Sequence, residues 1–246
     1  MTGSDLRNLR TRLWTESQLV RECIERDGIE SYVRSLSNLS DAFRPGDRAL
    51  RCIDGRTPGG VRLAGSGMLL GLEKAKAFAQ AAGCDRVTYH EDCGAARAWA
   101  QEHSRDVSEA TTCAREFADE LAQALSLPCA ETPLVGPPGF HDETVIYYDG
   151  TGLANPARVS GLPRGFVVSR APFGDDFPPA LEQVKLAVGL ALSDIGFGDF
   201  FTREHPLRIV AIGHPREARF SLEQLRQELG LLELERTLTE GFTARL

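Results

Sequence analysis

The start of the chain carries a helical pattern of apolar and polar positions. Between residues 4 and 42, apolar residues recur at steps of three and four, with arginines and glutamates between them. This spacing places an apolar stripe along a helix. Gly28 interrupts the pattern, so we expect a second helical stretch over residues 30–43. Pro45-Gly46 ends it, and residues 1–45 are predicted to form an N-terminal helical arm.

The middle of the chain alternates short apolar runs with helical patterns. The runs lie at residues 49–53, 61–64 and 86–90, and helices are predicted at residues 68–82, 94–103 and 108–125. Such alternation is typical of a mostly parallel sheet. We therefore predict an α/β fold with a parallel-rich central sheet, helices on both faces, and a core over residues 46–127.

A stretch rich in proline and glycine at residues 128–139 marks a boundary. Beyond it, strands are predicted at residues 144–149, 165–170 and 207–212, with a helix from Pro178 to about residue 194 and a capped helix after Ser221. The sequence shows no internal repeat. We expect residues 128–246 to form a C-terminal α/β extension that continues the same sheet.

Composition and charge restrict the class of protein. The net charge of −7 argues against general affinity for nucleic acid, which requires a basic surface. The apolar runs are shorter than the ~20 residues of a membrane span, and no secretory signal is evident, so we expect a cytoplasmic protein without a membrane partner. Four of the six cysteines are expected to be small buried side chains rather than disulfides: Cys23, Cys84, Cys113 and Cys129.

The other two cysteines belong to a pattern with chemical meaning. Cys52 ends one predicted strand, and His90 ends another, followed closely by Cys93. The carboxyl ends of neighbouring parallel strands meet at one edge of a sheet, where ligands bind. Two thiolates and one imidazole suit Zn²⁺, and three protein ligands leave a fourth position for water. The sequence thus predicts a zinc site of the water-activating kind, and makes residues 46–127 a zinc-binding core.

Asp54 and Arg56 follow Cys52 at alternate positions. A carboxylate near the zinc can orient a bound hydroxide, and Arg56 can hold the Asp54 carboxylate through a bidentate pair. We therefore predict that Asp54 and Arg56 are the catalytic residues. Release by Arg56 would let Asp54 become a fourth ligand and close the site.

These motifs resemble those of the β-class carbonic anhydrases. That family has a Cys-x-Asp-x-Arg motif followed by His-x-x-Cys-Gly, and residues 61–66 (VRLAGS) are similar to its Val-Arg-Asn-Ala-Gly-Asn segment. The resemblance covers about residues 47–100, with Leu63 and Ser66 in place of the two asparagines. It implies zinc on the cysteines and histidine of the motifs, hydration of carbon dioxide to bicarbonate, and a homodimer clasped by the N-terminal arm.

Two other functions remain open at this stage. The same metal chemistry could hydrolyse carbonyl sulfide, carbon disulfide or a larger molecule, because residues 130–246 have no counterpart in the family pattern. Alternatively, the chain could be a zinc-stabilised binding module without catalysis.

Further glycines and histidines suggest weaker hypotheses. Gly65-Ser66-Gly67 is interpreted as a tight turn, because its spacing misses the nucleotide-binding fingerprint by one residue. His205 and His214 each precede a proline, which favours surface or capping roles, although His214 also follows a strand and could reach the same cleft.

Overall fold

Two parallel sheets with strands in the same relative order form the centre of the protein. The structure is a computed structural model that describes residues 3–137 and 139–246. Its helices are α1 (Gly3–Glu16), α2 (Gln18–Asp27), α3 (Ile29–Ser35), α4 (Leu72–Ala82), α5 (Gly94–Glu102), α6 (Ala110–Leu125), α7 (Pro178–Ala191) and α8 (Leu222–Leu229). Its strands are β1 (Ala49–Arg51), β2 (Val61–Arg62), β3 (Arg86–Tyr89), β4 (Cys129–Glu131), β5 (Val145–Asp149), β6 (Gly165–Ser169), β7 (Leu207–Gly213) and β8 (Thr237–Thr243).

The strand order is β2-β1-β3-β4 in the first sheet and β6-β5-β7-β8 in the second, and every pair is parallel. The α/β class with parallel strands and packed helices is confirmed. The strands are divided between two sheets, however, where one continuous sheet was expected. The second half repeats the strand order of the first, a duplication of topology that the sequence does not show.

The boundary and one strand also differ from the expectation. β4 lies within the stretch assigned to the boundary and pairs with β3, so the first sheet extends past residue 127. β8 was not predicted, because its segment, TLTEGFT, combines a glycine and a glutamate with few apolar residues. It pairs along all of β7 and completes the second sheet.

Strand β5 shows why buried strands of the second half are apolar along their whole length. Its successive side chains point to opposite faces of the sheet, and both faces are covered. Val145 and Tyr147 pack with α2, α3 and the segment before β1, whereas Ile146 and Tyr148 pack with α7 and α8. The N-terminal arm thus lies partly on the chain's own second sheet. The homodimer remains a prediction.

The two sheets meet beside the end of β1. The backbone N–H of Val167 in β6 donates to the carbonyl of Ile53 at 2.9 Å, and the N–H of Arg62 in β2 donates to the Ser169 hydroxyl at 2.9 Å. The loop that follows β1 is therefore held against the second half of the chain. Among the described residues, no helix combines the length and the apolar character that a bilayer span would need.

Candidate metal centre

Adjacent parallel strands bring the three predicted metal ligands together. β1 pairs with β3 in register, Leu50 opposite Val87, so the segments that leave these strands lie side by side. Cys52 follows β1, His90 follows β3, and Cys93 occupies the N-cap position of α5. One donor atom from each of the three lies within 4.8 Å of the other two. All three are at most 3 % exposed.

The spacing of the donor atoms fits a tetrahedral zinc ion. The sulfur atoms of Cys52 and Cys93 are 3.8 Å apart. A tetrahedral ion with Zn–S bonds of about 2.3 Å holds two thiolates about 3.8 Å apart, whereas a disulfide needs about 2.0 Å. The two sulfur atoms are therefore at the separation that two thiolate ligands of one tetrahedral zinc ion would have.

His90 presents its free ring nitrogen to this space. Its Nδ1 lies 2.6 Å from the carbonyl of Glu91, and since a carbonyl only accepts, Nδ1 donates. This contact leaves Nε2 as the ring nitrogen available to a metal ion, the arrangement that metal-ligating histidines adopt. Nε2 is buried and has no hydrogen-bond partner in the described chain. An unpartnered buried nitrogen is costly, and a metal ion would satisfy it.

Backbone amides surround the two sulfur atoms. The N–H of Gly65 donates to the Cys52 sulfur at 3.3 Å. The pKa of Cys93 is lowered, first by the hydrogen bond from Cys52 and, against burial, by amides of Ala95 and Ala96 in the first turn of α5. The pKa of Cys52 is raised well above its usual value, because its thiol donates to Cys93 and because it is buried. Of the two cysteines, Cys93 therefore has the lower pKa.

The glycine-rich segment is a tight turn, as expected from its spacing. Gly65, Ser66 and Gly67 all have positive φ, between 54° and 105°, inside a short 3₁₀ segment. A Cβ at Gly65 would lie 3.3 Å from the Cβ of Ala95, so glycine permits the close approach that aims its N–H at the sulfur. The turn serves the candidate metal centre directly.

Asp54 and Arg56 form the buried pair that the sequence predicts. Arg56 Nη2 donates to Asp54 Oδ2 at 2.7 Å and Nε donates to Oδ1 at 3.0 Å, while the Arg56 side chain has no exposed area. Burial opposes ionisation of Asp54, but Arg56, with His141 nearby, holds the pKa of that carboxyl far below its usual value. The remaining guanidinium nitrogen, Nη1, donates to the carbonyls of Pro137 and Phe140. Asp54 is therefore anionic and fixed in position.

Arg62 holds the loop that carries these residues. Its guanidinium donates to the carbonyls of Cys52, Asp54 and Thr57 and contacts the Thr57 hydroxyl. Burial lowers its pKa to about 10. Arg62, which lies in β2, therefore fixes the backbone of the loop between β1 and β2.

Two further residues join the site from the second half of the chain, and sequence reasoning missed both. His141 and Glu143 lie in the loop before β5 and are at most 2 % exposed. His141 Nδ1 is 3.6 Å from Asp54 Oδ2 and 3.5 Å from Glu143 Oε2, and Glu143 Oε1 accepts from the N–H of Gly55 at 2.8 Å. A Cβ at Gly94 would lie 3.1 Å from His141 Nε2, so the missing side chain lets the imidazole approach the start of α5. The one sequence signal was the run HDE after a Pro/Gly-rich loop.

Apolar side chains of the second half share one hydrophobic core with the two cysteines. Phe140 and Phe166 have no exposed area and belong to the same core cluster as Cys52 and Cys93. Arg56 lines a cavity of about 450 Å³ that also contacts the segment before β6. The described residues that line this cavity do not include Cys52, His90 or Cys93.

The second sheet carries no equivalent of the thiol and imidazole ligands within the described residues. β5 corresponds to β1 of the first sheet and carries Tyr147 and Asp149. β7 corresponds to β3, and His214 follows β7 as His90 follows β3. His214 Nδ1 accepts the backbone N–H groups of Arg216 and Glu217 at 3.1 Å, which is a turn-capping role. The hypothesis that His214 reaches the metal cleft is not met.

Two exposed histidines have local roles. His205 is 3.1 Å from Glu25 at the surface, and the ring of His103 stacks on Trp99 at 4.1 Å.

Comparison of the chain with family models, curated proteins and solved structures found no match. The candidate function is therefore argued from the geometry of the site.

Proposed function

We propose that this protein is a zinc enzyme that adds hydroxide to carbon dioxide to give bicarbonate. The observation that carries the proposal is the pair of sulfur atoms 3.8 Å apart beside an unpartnered imidazole nitrogen. Zinc held there would lower the pKa of a coordinated water to about 7 and so supply hydroxide near neutral pH.

The residues around the metal ligands have separable tasks. With zinc bound, Asp54 would accept the hydrogen bond of the hydroxide and so orient it towards the substrate carbon. Arg56 keeps Asp54 ionised and immobile through the bidentate contact. Phe140 and Phe166 lie in the same buried core as the two cysteines, a position that keeps bulk water away.

Burial supports a small substrate and a catalytic use of the metal. A purely structural zinc site would be closed by a fourth protein ligand, and the described residues group no fourth donor with Cys52, His90 and Cys93. Carbonyl sulfide and carbon disulfide are small linear triatomic molecules like carbon dioxide, so they are the alternative substrates of the same chemistry. A larger substrate fits the enclosed surroundings of the two cysteines less well.

A stopped-flow assay tests the proposal. Zinc-loaded protein is mixed with dissolved carbon dioxide and a pH indicator, beside Cys93→Ser and the buried-thiol control Cys113→Ser. We expect hydration by the wild type and by Cys113→Ser, and none above background by Cys93→Ser. Zinc without hydration, together with hydrolysis of carbonyl sulfide, would replace the substrate. Zinc without either activity would refute the enzymatic proposal.

A further inference from the structure

A second cluster of metal-binding side chains lies next to the zinc centre. Asp54, His141 and Glu143 each place one donor atom within 4.8 Å of the other two. All three are at most 2 % exposed. Asp54 comes from the loop after β1, whereas the other two come from the loop before β5, so the cluster joins the two halves of the chain.

Two of the three donor atoms lack a hydrogen bond of ordinary length within the described residues. His141 Nδ1 and Glu143 Oε2 are buried and face each other at ion-pair distance only. Their separation is 3.5 Å, and Nδ1 is 3.6 Å from Asp54 Oδ2. Charge-assisted hydrogen bonds are shorter, at about 2.7–2.9 Å. The atoms are therefore aimed at a common space without contacting each other.

These separations are close to those of ligands that share one cation. Bonds of about 2.1 Å place neighbouring ligand atoms about 3.0–3.4 Å apart, so the observed 3.5 and 3.6 Å would shorten slightly around an ion. From this spacing and the shared orientation of the buried donor atoms, we propose that Asp54, His141 and Glu143 bind a second divalent cation. Two carboxylates and one imidazole are harder ligands than the thiolates of the first site, so the cluster favours ions such as Mn²⁺ that prefer oxygen and nitrogen.

The charges around the cluster favour binding of a cation with moderate affinity. Glu143 is fully buried, and the ion pairs of the described residues give it only His141. Its Oε1 is held by the Gly55 N–H, which fixes Oε2 towards the cluster. Arg56 already balances Asp54, so one carboxylate charge is left for the cation to neutralise. Binding is consequently weaker than at the neighbouring thiolate site.

Titration with Mn²⁺ tests this site separately from the first. The protein is loaded with one equivalent of zinc, and free Mn²⁺ is followed by its electron paramagnetic resonance signal. We expect one Mn²⁺ to bind per chain. Glu143→Gln and His141→Gln should weaken binding by about tenfold or more. The matched controls Glu131→Gln and His103→Gln change exposed side chains and should leave it unchanged.

Pulsed resonance on the wild type gives a second readout that needs no variant. Bound Mn²⁺ should show the nitrogen coupling of one coordinated imidazole. No binding at millimolar Mn²⁺, binding without nitrogen coupling, or equal binding by Glu143→Gln would each overturn the inference. Cys93→Ser separates the two proposals, because it should lose the first ion and still bind Mn²⁺. Failure of carbon dioxide hydration alone therefore leaves this site standing.

Discussion

Replacing Asp54 by asparagine tests the buried pair beside the zinc centre, and the duplicated topology supplies a matched control. Asp54 follows β1 and Asp149 ends β5, the corresponding strand of the second sheet, and both are buried and followed by glycine. Asp54 accepts from the Arg56 guanidinium, whereas Asp149 accepts from Thr151 and from the N–H of Ala154. The same substitution thus removes a carboxylate charge at two similar places, of which only one adjoins the metal ligands.

The structure sets the size of the expected effects. Asp54→Asn leaves the guanidinium of Arg56, which has no exposed area, without its counter-charge. Removing one partner of a buried ion pair costs about 3–5 kcal/mol, and the lower end applies here because Pro137 and Phe140 still accept from Arg56. At about 2–4 °C per kcal/mol, the melting temperature falls by about 6–12 °C. Asp149→Asn loses hydrogen bonds without stranding a charge and costs about 1–3 kcal/mol.

Calorimetry and stopped-flow hydration read out the two effects. At equal zinc content, Asp54→Asn should lower the hydration rate by about 100-fold or more, since it removes the group that orients the attacking hydroxyl. Asp149→Asn should keep the wild-type rate per zinc. Near-normal hydration by Asp54→Asn, or an equal loss in both variants, would refute the role given to Asp54.

Three further predictions concern the metal ligands, the second sheet and the arm. Zinc should stabilise the wild type by about 2.7 kcal/mol at a free zinc concentration 100 times the dissociation constant. Cys93→Ser should abolish this stabilisation, whereas Cys113→Ser should retain it. Equal responses of the two variants in thermal melts would contradict the ligand assignment. Burial raises the pKa of Tyr147 and Tyr148, so the folded state keeps both phenols protonated. The contribution of these two tyrosines to the free energy of unfolding is complete below about pH 10, the pKa of an unfolded tyrosine. It is lost as the pH rises above that value. Absorbance at alkaline pH should show these two ionising only with unfolding, and ionisation of all tyrosines before unfolding would count against this. Trp14→Ala removes a ring packed 5.0–5.3 Å from three phenylalanine rings and should cost about 3 kcal/mol in denaturant unfolding, a loss that a free-standing arm would not show.

The three metal ligands could be predicted from the sequence because their positions depend on two neighbouring strands and the short turn after one of them. Cys52 and His90 each follow an apolar run, and parallel neighbours must place their carboxyl ends together. The Cys93 position follows from the short turn into α5. The carbonyl of Glu91, the next residue, fixes the orientation of the His90 ring.

His141 and Glu143 could not be placed in this way. They lie about ninety positions from Asp54 and reach it only because the second half packs against the loop after β1. No periodicity in the chain reports such a contact, which depends on how the two sheets meet. The run HDE identifies candidate side chains without indicating their partner.

The duplicated topology was hidden for a related reason. Buried strands such as β5 read as continuous apolar runs, so any similarity between the halves lies in strand order and not in residue identity. The start of α4 was displaced from residue 68 to Leu72 by the left-handed turn before it. Positive φ at Ser66 has no signature in the apolar pattern.

X-ray absorption at the zinc edge of protein loaded with one equivalent of zinc is the most direct measurement of the proposed centre. Coordination by Cys52, His90 and Cys93 predicts two sulfur atoms at about 2.3 Å and two nitrogen or oxygen atoms at about 2.0–2.1 Å, one of them from solvent. Fewer than two sulfur atoms around zinc, or protein that holds no zinc at all, would contradict it.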